Sequence, residues 1–158
     1  MKQLHAFMYA IAAMFVVAGL CRCAHAAEQD PPSPDQIHNL YVIAIGETGQ
    51  GVPEKSPKVY RMSSASLCEI VNRDPNCGVH GVQIADAVLY DEDLNFTKAT
   101  DSAILAHEFV HYIQWVKHGR AKTCEERADR EAEAYKIQAR ILSKVNVYYP
   151  LPQRMHCE

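Results

Sequence analysis

A long helical segment ahead of Gly119 constrains the fold of this chain more than any other feature. The stretch from Thr100 to His118 contains no glycine or proline. Thr100 and Asp101 are typical of a helix start, and Gly119 is typical of the residue after a helix end. Apolar residues recur at helical spacing and cover most of the circumference: Leu105, Ala106, Phe109, Val110, Tyr112, Ile113, Trp115 and Val116. The sequence therefore predicts a largely buried helix.

This helix carries two histidines and a glutamate, in the order His107-Glu108-Phe109-Val110-His111. Residues four apart share a helix face, so His107 and His111 can bind one metal ion. Glu108 lies about 100° round the helix, near enough to handle a water on that metal. The alternative is a core helix that carries two histidines by chance. Buried titratable groups need compensation, which a metal ion provides, so we favour a zinc site.

A second helix is predicted directly after the first. Thr123 and Glu126 form a capping box, and the helical pattern continues to about Lys144. Residues 119–122 make a short connection, so the two helices should be antiparallel neighbours. The H-E-x-x-H order at residues 107–111 resembles that of the zincin metallopeptidases, and a resemblance to their gluzincin branch implies a third ligand, a glutamate, on this next helix.

Two glutamates of the second helix compete to be this ligand, Glu125 and Glu131. His111 lies roughly 12 Å along the first helix from Gly119, at 1.5 Å per residue, and the ligand must lie level with it. Glu125 is at the start of the second helix, whereas Glu131 is about 10 Å along it. Glu131 lies within an apolar stripe formed by Ala128, Ala132, Tyr135, Ala139 and Leu142. We therefore predict Glu131 as the ligand and expect Glu125 and Glu133 to be solvated.

Residues from about 100 to 142 resemble the zincin metallopeptidases of the gluzincin type. The resemblance rests on the H-E-x-x-H motif at residues 107–111 and on the E-x-E-A-Y-x-x-Q motif at residues 131–138. The second motif resembles a helix of small exported bacterial proteins of unknown role. The spacing from His111 to Glu131 is similar to that in thermolysin-like enzymes. The resemblance implies one zinc ion per chain, with a zinc-bound water that is activated by Glu108.

Additional groups are candidates for roles around the metal. Gln138, two turns beyond Glu131, is a candidate for a hydrogen bond behind the ligands. A donor to the oxyanion of the transition state is also expected. The candidates for it are Tyr135, Tyr148, Tyr149 and His156. We expect His118 to interact with the helix dipole, and we assign no role to His38 or His80.

Three classes of function remain open from the sequence. The favoured class is a zinc metallopeptidase, a monomer that hydrolyses peptide bonds in a peptide or protein substrate. The second is a zinc hydrolase of a non-peptide bond, such as an amide of the cell wall. The third is a non-catalytic exported zinc-binding protein. Glu108 argues against the third class, because a structural site needs no base and would close its fourth position.

The upstream region predicts a few short elements, so we expect an α+β fold with a small sheet ahead of two packed antiparallel helices. The resemblance implies that this fold is a minimal zincin-like domain. Strands are predicted at Leu40–Ile45, Lys58–Met62 and Gly81–Tyr90, and a short helix at Ser63–Val71. The acidic triplet Asp91-Glu92-Asp93 lacks the ligand spacing of a calcium loop, so we expect a solvated turn.

Residues 1–26 are typical of a signal peptide. Lys2 precedes an apolar run, and Ala24 and Ala26 are small residues suited to a cleavage site. This predicts a periplasmic or secreted protein, with a flexible proline-rich leader at residues 27–37 and a single domain at residues 38–158. Anchoring as a lipoprotein through Cys21 is the less favoured alternative, because the bulky Leu20 precedes it.

The remaining chain is acidic and carries an even number of cysteines. Residues 1–26 hold two of the 16 Lys and Arg residues and none of the 19 Asp and Glu residues, so the rest has a net charge of −5. This balance predicts no nucleic-acid partner, and no later apolar run is long enough for a transmembrane span. Four cysteines in an exported domain predict two disulfides, with three possible pairings. We favour Cys68–Cys77 across a turn-rich loop, which leaves Cys124–Cys157 as the second disulfide. A zinc site made of cysteines is the alternative, and we discount it because no C-x-x-C pair occurs after residue 26.

Overall fold

The computed structural model describes residues 30–157, so the predicted signal peptide lies outside the described residues. The elements in chain order are α1 (Pro34–Thr48), β1 (Lys58–Met62), α2 (Ser64–Ile70), β2 (Gly81–Ile84), β3 (Ala87–Asp91), α3 (Ala99–His118) and α4 (Cys124–Ser143). The α+β class and the two packed helices that end the fold are as predicted. Between residues 30 and 157, no helix is both long enough and apolar enough to cross a membrane.

The three strands form one mixed sheet with β3 in the centre. β3 runs parallel to β1, where Val88 lies beside Val59, and antiparallel to β2, where Leu89 lies beside Val82. Helix α2 packs against β3, and both β2 and β3 contact α3. Because β2 is an edge strand, the histidine helix packs against an edge of the sheet as well as against its centre.

The segment predicted as one strand, Gly81–Tyr90, is a hairpin of two strands. Ala85 and Asp86 turn the chain between β2 and β3, and Ala85 has a φ of 47°. Glycine is the residue that usually takes such a backbone at a hairpin turn. Because alanine stands there instead, the sequence contains no local signal for this turn.

The first predicted strand is wrong: residues Leu40–Ile45 lie within the helix α1. This helix begins at Pro34, so the end of the predicted flexible leader is helical as well. The Ser33 side chain accepts a hydrogen bond from the Gln36 N–H, and the Gln36 side chain accepts one from the Ser33 N–H. Tyr41 is buried and packs edge-on against an aromatic ring of α3. Burial of this helix against α3 outweighs the β propensity of the short apolar run.

Helix α3 is the centre of the fold, with α1, α4 and the sheet packed around it. Gly119 caps the C-terminal end of this helix, and its backbone N–H donates a hydrogen bond to the Trp115 carbonyl at 2.8 Å. The main core combines its apolar residues with those of the other elements: Tyr41, Ala44, Val88, Tyr90, Leu94, Leu105, Phe109, Val110, Tyr112, Ile113, Ala134 and Ile137. The prediction of a largely buried histidine helix is confirmed.

Helix α4 starts at the predicted cap but turns a slightly different face to the core. The Thr123 hydroxyl accepts a hydrogen bond from the Glu126 N–H at 3.1 Å. The predicted apolar stripe does not lie wholly in the core, because Ala132 and Tyr135 line a surface groove. Ala134 and Ile137, outside that stripe, are in the main core.

Both predicted disulfides, Cys68–Cys77 and Cys124–Cys157, are present. The first closes the loop between α2 and β2. The second holds the C-terminal tail against the start of α4. The tail therefore runs along the same side of the molecule as the connection between the two long helices.

Asp91 was expected in a solvated turn, but it is completely buried at the end of β3. One of its carboxylate oxygens accepts hydrogen bonds from the Ser64 hydroxyl at 2.6 Å and from Nδ1 of His80 at 3.0 Å. The other accepts one from the Asp93 N–H at 3.1 Å. These bonds replace the water that the carboxylate loses and join α2 to the start of β2.

Candidate metal centre

His107, His111 and Glu131 converge at the interface of α3 and α4. The Nε2 atoms of the two histidines lie 3.0 Å apart. Oε1 of Glu131 lies 3.4 Å from Nε2 of His111, and its Oε2 lies 3.6 Å from Nε2 of His107. Among the residues from 30 to 157, this is the group of three ligand side chains that could hold a metal ion.

The pairing of the helices selects the glutamate. The connection between α3 and α4 is short, so α4 runs back along α3 and brings Glu131 level with the histidines. Glu125 is exposed at the start of α4 and lies outside the group, as the sequence predicts. The rise of the two helices therefore brings Glu131, and not Glu125, to the histidines.

The charges of the cluster stabilise a cation. Burial lowers the pKa of His111, but its hydrogen bond with Glu131 and the charge of Glu108 outweigh burial and raise that pKa to about 9. Burial raises the pKa of Glu131, but the two histidines outweigh burial and hold that pKa far below its usual range. An environment that favours positive charge on the His111 imidazole and negative charge on the Glu131 carboxylate suits a bound cation.

Gln114 holds the ring of His111 from behind. The Nδ1–H of His111 donates to Oε1 of Gln114 at 3.0 Å, because Nε2 of Gln114 donates to the Arg130 carbonyl at 3.1 Å. Gln114 is almost completely buried on α3. A neutral His111 with its proton on Nδ1 has its lone pair on Nε2, the atom that faces His107 and Glu131. Gln114 therefore fixes both the orientation and the tautomer that a metal ligand requires.

Glu133 belongs to this network, so the prediction that its side chain is solvated is wrong. Its Oε2 accepts a hydrogen bond from Nε2 of Gln114 at 2.9 Å, and its Oε1 accepts one from Gln50 at 3.4 Å. The side chain points away from the metal ligands, as its helical position implies, but it meets Gln114 of the neighbouring helix. A line of hydrogen bonds thus connects His111 through Gln114 to a carboxylate.

Glu108 is buried beside the edge strand β2. The backbone N–H of Gln83 donates to its carboxylate. Gly81 leaves the space for it, because a Cβ on Gly81 would lie 2.7 Å from Cγ of Glu108. Burial raises the pKa of Glu108, and the charges of His111 and His107 offset only part of that effect. A carboxylate next to the ligands therefore lies in a site that raises its affinity for a proton.

The three candidate ligand side chains lie at the base of a groove of about 1050 Å³. Its walls are α3, α4, the edge strand β2 and the C-terminal tail, so the groove passes directly over the converging ligands. Tyr135 lies on its wall with its ring 4.5 Å from the ring of His107, and Tyr149 lines the groove as well. The Nδ1 of His107 is buried and makes no hydrogen bond within residues 30–157.

The other predicted candidates lie elsewhere or make different contacts. Gln138 lines the groove, but its side chain makes no hydrogen bond to either histidine among the described residues. His156 and Tyr148 are exposed and are not part of the groove lining. His118 is exposed in the last turn of α3, outside the groove lining. Of the four oxyanion candidates, the fold therefore brings Tyr135 and Tyr149 to the groove.

Sequence reasoning missed Gln114, Gly81 and Gln83 in this site. Gln114 stands three residues after His111, one turn along the same face, which is a spacing that could have marked it. No local signal marks Gly81 and Gln83, because their proximity to Glu108 arises from the packing of β2 on α3.

Comparisons of the chain with protein-family models, with curated proteins and with solved structures found no match. The interpretation of the site therefore depends on its own residues. The site consists of two histidines and a glutamate that converge, with a buried carboxylate beside them. An open groove lies above this group.

Proposed function

We propose that the protein is a zinc-dependent metallopeptidase of the gluzincin type, with His107, His111 and Glu131 as the zinc ligands. The observation that carries the proposal is the convergence of these three side chains beneath an open groove, with the buried Glu108 next to them. Three protein ligands with nitrogen and oxygen donors are typical of catalytic zinc sites, which keep one position for water or substrate.

The distances between the ligand atoms support zinc. Zinc binds histidine nitrogen and carboxylate oxygen at about 2.0–2.2 Å in tetrahedral geometry, so two ligand atoms should lie roughly 3.3–3.5 Å apart. The two Nε2 atoms lie 3.0 Å apart, and each oxygen of Glu131 lies close to one of them: Oε1 is 3.4 Å from His111 and Oε2 is 3.6 Å from His107. A small movement that brings one carboxylate oxygen near both nitrogens would therefore adapt this group to a zinc ion.

Glu108 is the proposed general base. Bound zinc would supply a Lewis acid that polarises a substrate carbonyl and acidifies water. Glu108 would take the proton from the attacking water and pass it to the leaving amine. The Gln83 N–H and the space at Gly81 hold its carboxylate in one position, so the base is oriented before substrate binds.

Tyr135 is the proposed donor to the oxyanion. It lies on the groove wall against His107, whereas Tyr149 reaches the groove from the tail. A phenol held by a rigid helix next to a metal ligand can donate to negative charge that develops on the substrate carbonyl. Its ring contact with the ligand favours Tyr135 over Tyr149 for this role.

A peptide substrate fits the edge of the sheet. Among the described strands β2 pairs with β3 alone, and its residues Gly81, Val82 and Gln83 line the groove. An extended peptide can add to such an edge through main-chain hydrogen bonds. This feature favours a peptide over a cell-wall amide. The two disulfides fit an oxidising compartment, so we place the reaction in the periplasm or outside the cell.

The test is a hydrolysis screen on the purified, zinc-loaded protein with Glu108→Gln as its control. The substitution removes the base but preserves the size of the side chain and all three ligands. We expect peptide cleavage by the wild type, with zinc retained and cleavage lost in Glu108→Gln. Cleavage of non-peptide amides alone would favour the second class of function. Stoichiometric zinc in a wild type that cleaves nothing would favour the binding protein.

A further inference from the structure

The groove is positively charged although the chain is acidic. Residues 30–157 contain 14 Lys and Arg residues and 17 Asp and Glu residues. Two of the acidic residues line the groove, Glu108 and Glu131, and both belong to the proposed catalytic centre. Six of the basic residues line it: Arg73, Arg120, Arg127, Arg130, Lys136 and Arg154. Basic side chains are thus concentrated on the one concave surface that passes over the metal ligands.

Most of these cations have no side-chain partner among residues 30–157. Arg154 pairs with Asp129, and Arg130 donates to the Gly119 carbonyl. The side chains of the remaining four make no hydrogen bond or ion pair within residues 30–157, and all four are exposed: Arg73, Arg120, Arg127 and Lys136. Their charge is therefore available to a ligand in the groove.

Two of the free arginines lie at one end of the site. Arg127 is four residues before Glu131 on α4, which puts it on the same helix face at a distance of about 6 Å along the axis. Arg120 lies in the connection between α3 and α4, directly after Gly119. Both line the groove on the side where α3 ends and α4 begins. A chain bound across the metal ligands would extend past both guanidinium groups.

We propose that the groove selects peptides with acidic side chains, and that Arg120 and Arg127 bind a carboxylate a few residues from the cleaved bond. Cations that line a concave surface add their potentials and attract anionic ligands. Guanidinium groups also pair with carboxylates through two parallel hydrogen bonds. The free cations around the groove therefore determine which peptides the proposed metallopeptidase accepts, and this inference rests on the proposed function.

The test compares fluorogenic peptides that differ only by Asp, Asn or Lys at positions two to four residues on either side of the cleaved bond. The protein is the zinc-loaded wild type and its Arg120→Gln/Arg127→Gln variant. Lys55→Gln/Lys117→Gln is the matched control, because both lysines are exposed outside the groove lining and the change in net charge is the same.

We expect the wild type to prefer the Asp peptides over the Asn peptides by between about 2- and 30-fold in kcat/KM, the range for two exposed ion pairs. The preference should disappear in the arginine variant, remain in the lysine control and decrease as salt is added. In Arg120→Glu/Arg127→Glu it should move to the Lys peptides. Equal kcat/KM values for all three peptides in the wild type, or an Asp preference that persists in the arginine variant, would overturn the inference.

The same peptides distinguish this inference from the proposed function. Binding to Glu108→Gln, followed by fluorescence anisotropy, requires no turnover. If no peptide is cleaved but Asp peptides bind more tightly than Asn peptides through Arg120 and Arg127, the groove preference stands and the metallopeptidase proposal fails. If peptides are cleaved but all three bind equally, the metallopeptidase proposal stands and the groove preference fails.

Discussion

Glu108 occupies the space that Gly81 leaves by having no side chain. A Cβ at this position would lie 2.7 Å from Cγ and 3.1 Å from Cδ of Glu108. Separations below 3 Å do not persist, so Gly81→Ala must displace the buried carboxylate or the edge strand. We expect kcat/KM to fall by about 10- to 100-fold, the effect of moving a catalytic group by roughly 1 Å. Zinc content should not change, because none of the three ligands is touched.

Gly46→Ala is the control for this substitution. Gly46 lies inside α1, and nothing lies within 4 Å of the position that its Cβ would take. Alanine favours a helix over glycine by roughly 0.5–1 kcal/mol, so the control should be as stable as the wild type or more stable. Wild-type kinetics in Gly81→Ala would show that the close contact does not hold the base.

Gln114→Ala should weaken zinc binding although Gln114 is not a ligand. The change removes the acceptor that fixes His111 through its Nδ1–H. Loss of such a partner typically costs about 10- to 100-fold in metal affinity. Gln138→Ala is the matched control: it is the same truncation at a similarly buried glutamine of α4 that does not bond to the histidines. Competition with a chelator measures both affinities, and equal losses in the two variants would argue against a specific role for Gln114.

The histidine helix and the choice of Glu131 could be predicted because their signals are local and periodic. The window before Gly119 is free of helix breakers, and the histidines are one turn apart within it. The short connection then fixes the direction of α4, so helix rise alone decides which glutamate comes level with His111. These are properties of the backbone that any side-chain packing must respect.

Other parts of the fold could not be predicted because tertiary contacts decide them. Residues Leu40–Ile45 are apolar and β-branched, yet packing against α3 makes them helical. The Ser33–Gln36 capping box, with Pro34 as the first helical residue, could have predicted the start of α1. It lies in a proline-rich segment, which is also typical of a flexible leader. The burial of Asp91 depends on Ser64, which is 27 residues away, and the contact of Glu133 depends on Gln114 of another helix.

Three glutamates of α4 should differ in their effect on zinc affinity: Glu125, Glu131 and Glu133. Glu131→Ala removes a ligand and should weaken binding most severely. Glu133→Ala should weaken it less, by about tenfold or somewhat more, because it releases Gln114 from only one of its bonds. Glu125→Ala should have no effect, since that side chain is exposed away from the ligands. Titration of the three metal-free variants with zinc gives the order, and a larger loss in Glu125→Ala than in Glu131→Ala would contradict the helix register.

Asp91 should make the stability of the fold depend on acid pH. Burial raises the pKa of Asp91, but the hydrogen bonds from Ser64, Asp93 and His80 outweigh it and hold that pKa below its ordinary value of 3.8. The folded protein therefore binds protons less readily than the unfolded chain at this carboxylate. Its contribution to stability is complete above the unfolded pKa and is lost as the pH falls through the lower folded pKa.

Asp91→Asn tests this dependence. At neutral pH it should lower the free energy of unfolding by about 1–3 kcal/mol, the range for hydrogen bonds to a charged group. The difference from wild type should shrink as the pH falls below about 4, where the unfolded chain takes up a proton at Asp91, and should vanish below the lower pKa of the folded protein. Denaturant unfolding at neutral pH and again below about pH 4 measures this difference in the free energy of unfolding. A chelator is present so that metal loss does not contribute. An equal difference at both pH values would contradict the role of the charged form.

The zinc content of the purified protein tests the central claim most directly. After reconstitution with zinc and dialysis, elemental analysis should find about one zinc ion per chain in the wild type and in Glu108→Gln. The His107→Ala/His111→Ala variant should retain essentially none, because two of its three ligands are gone. Stoichiometric zinc in that double variant, or a folded wild type that retains none, would contradict the assignment of this cluster as a zinc site.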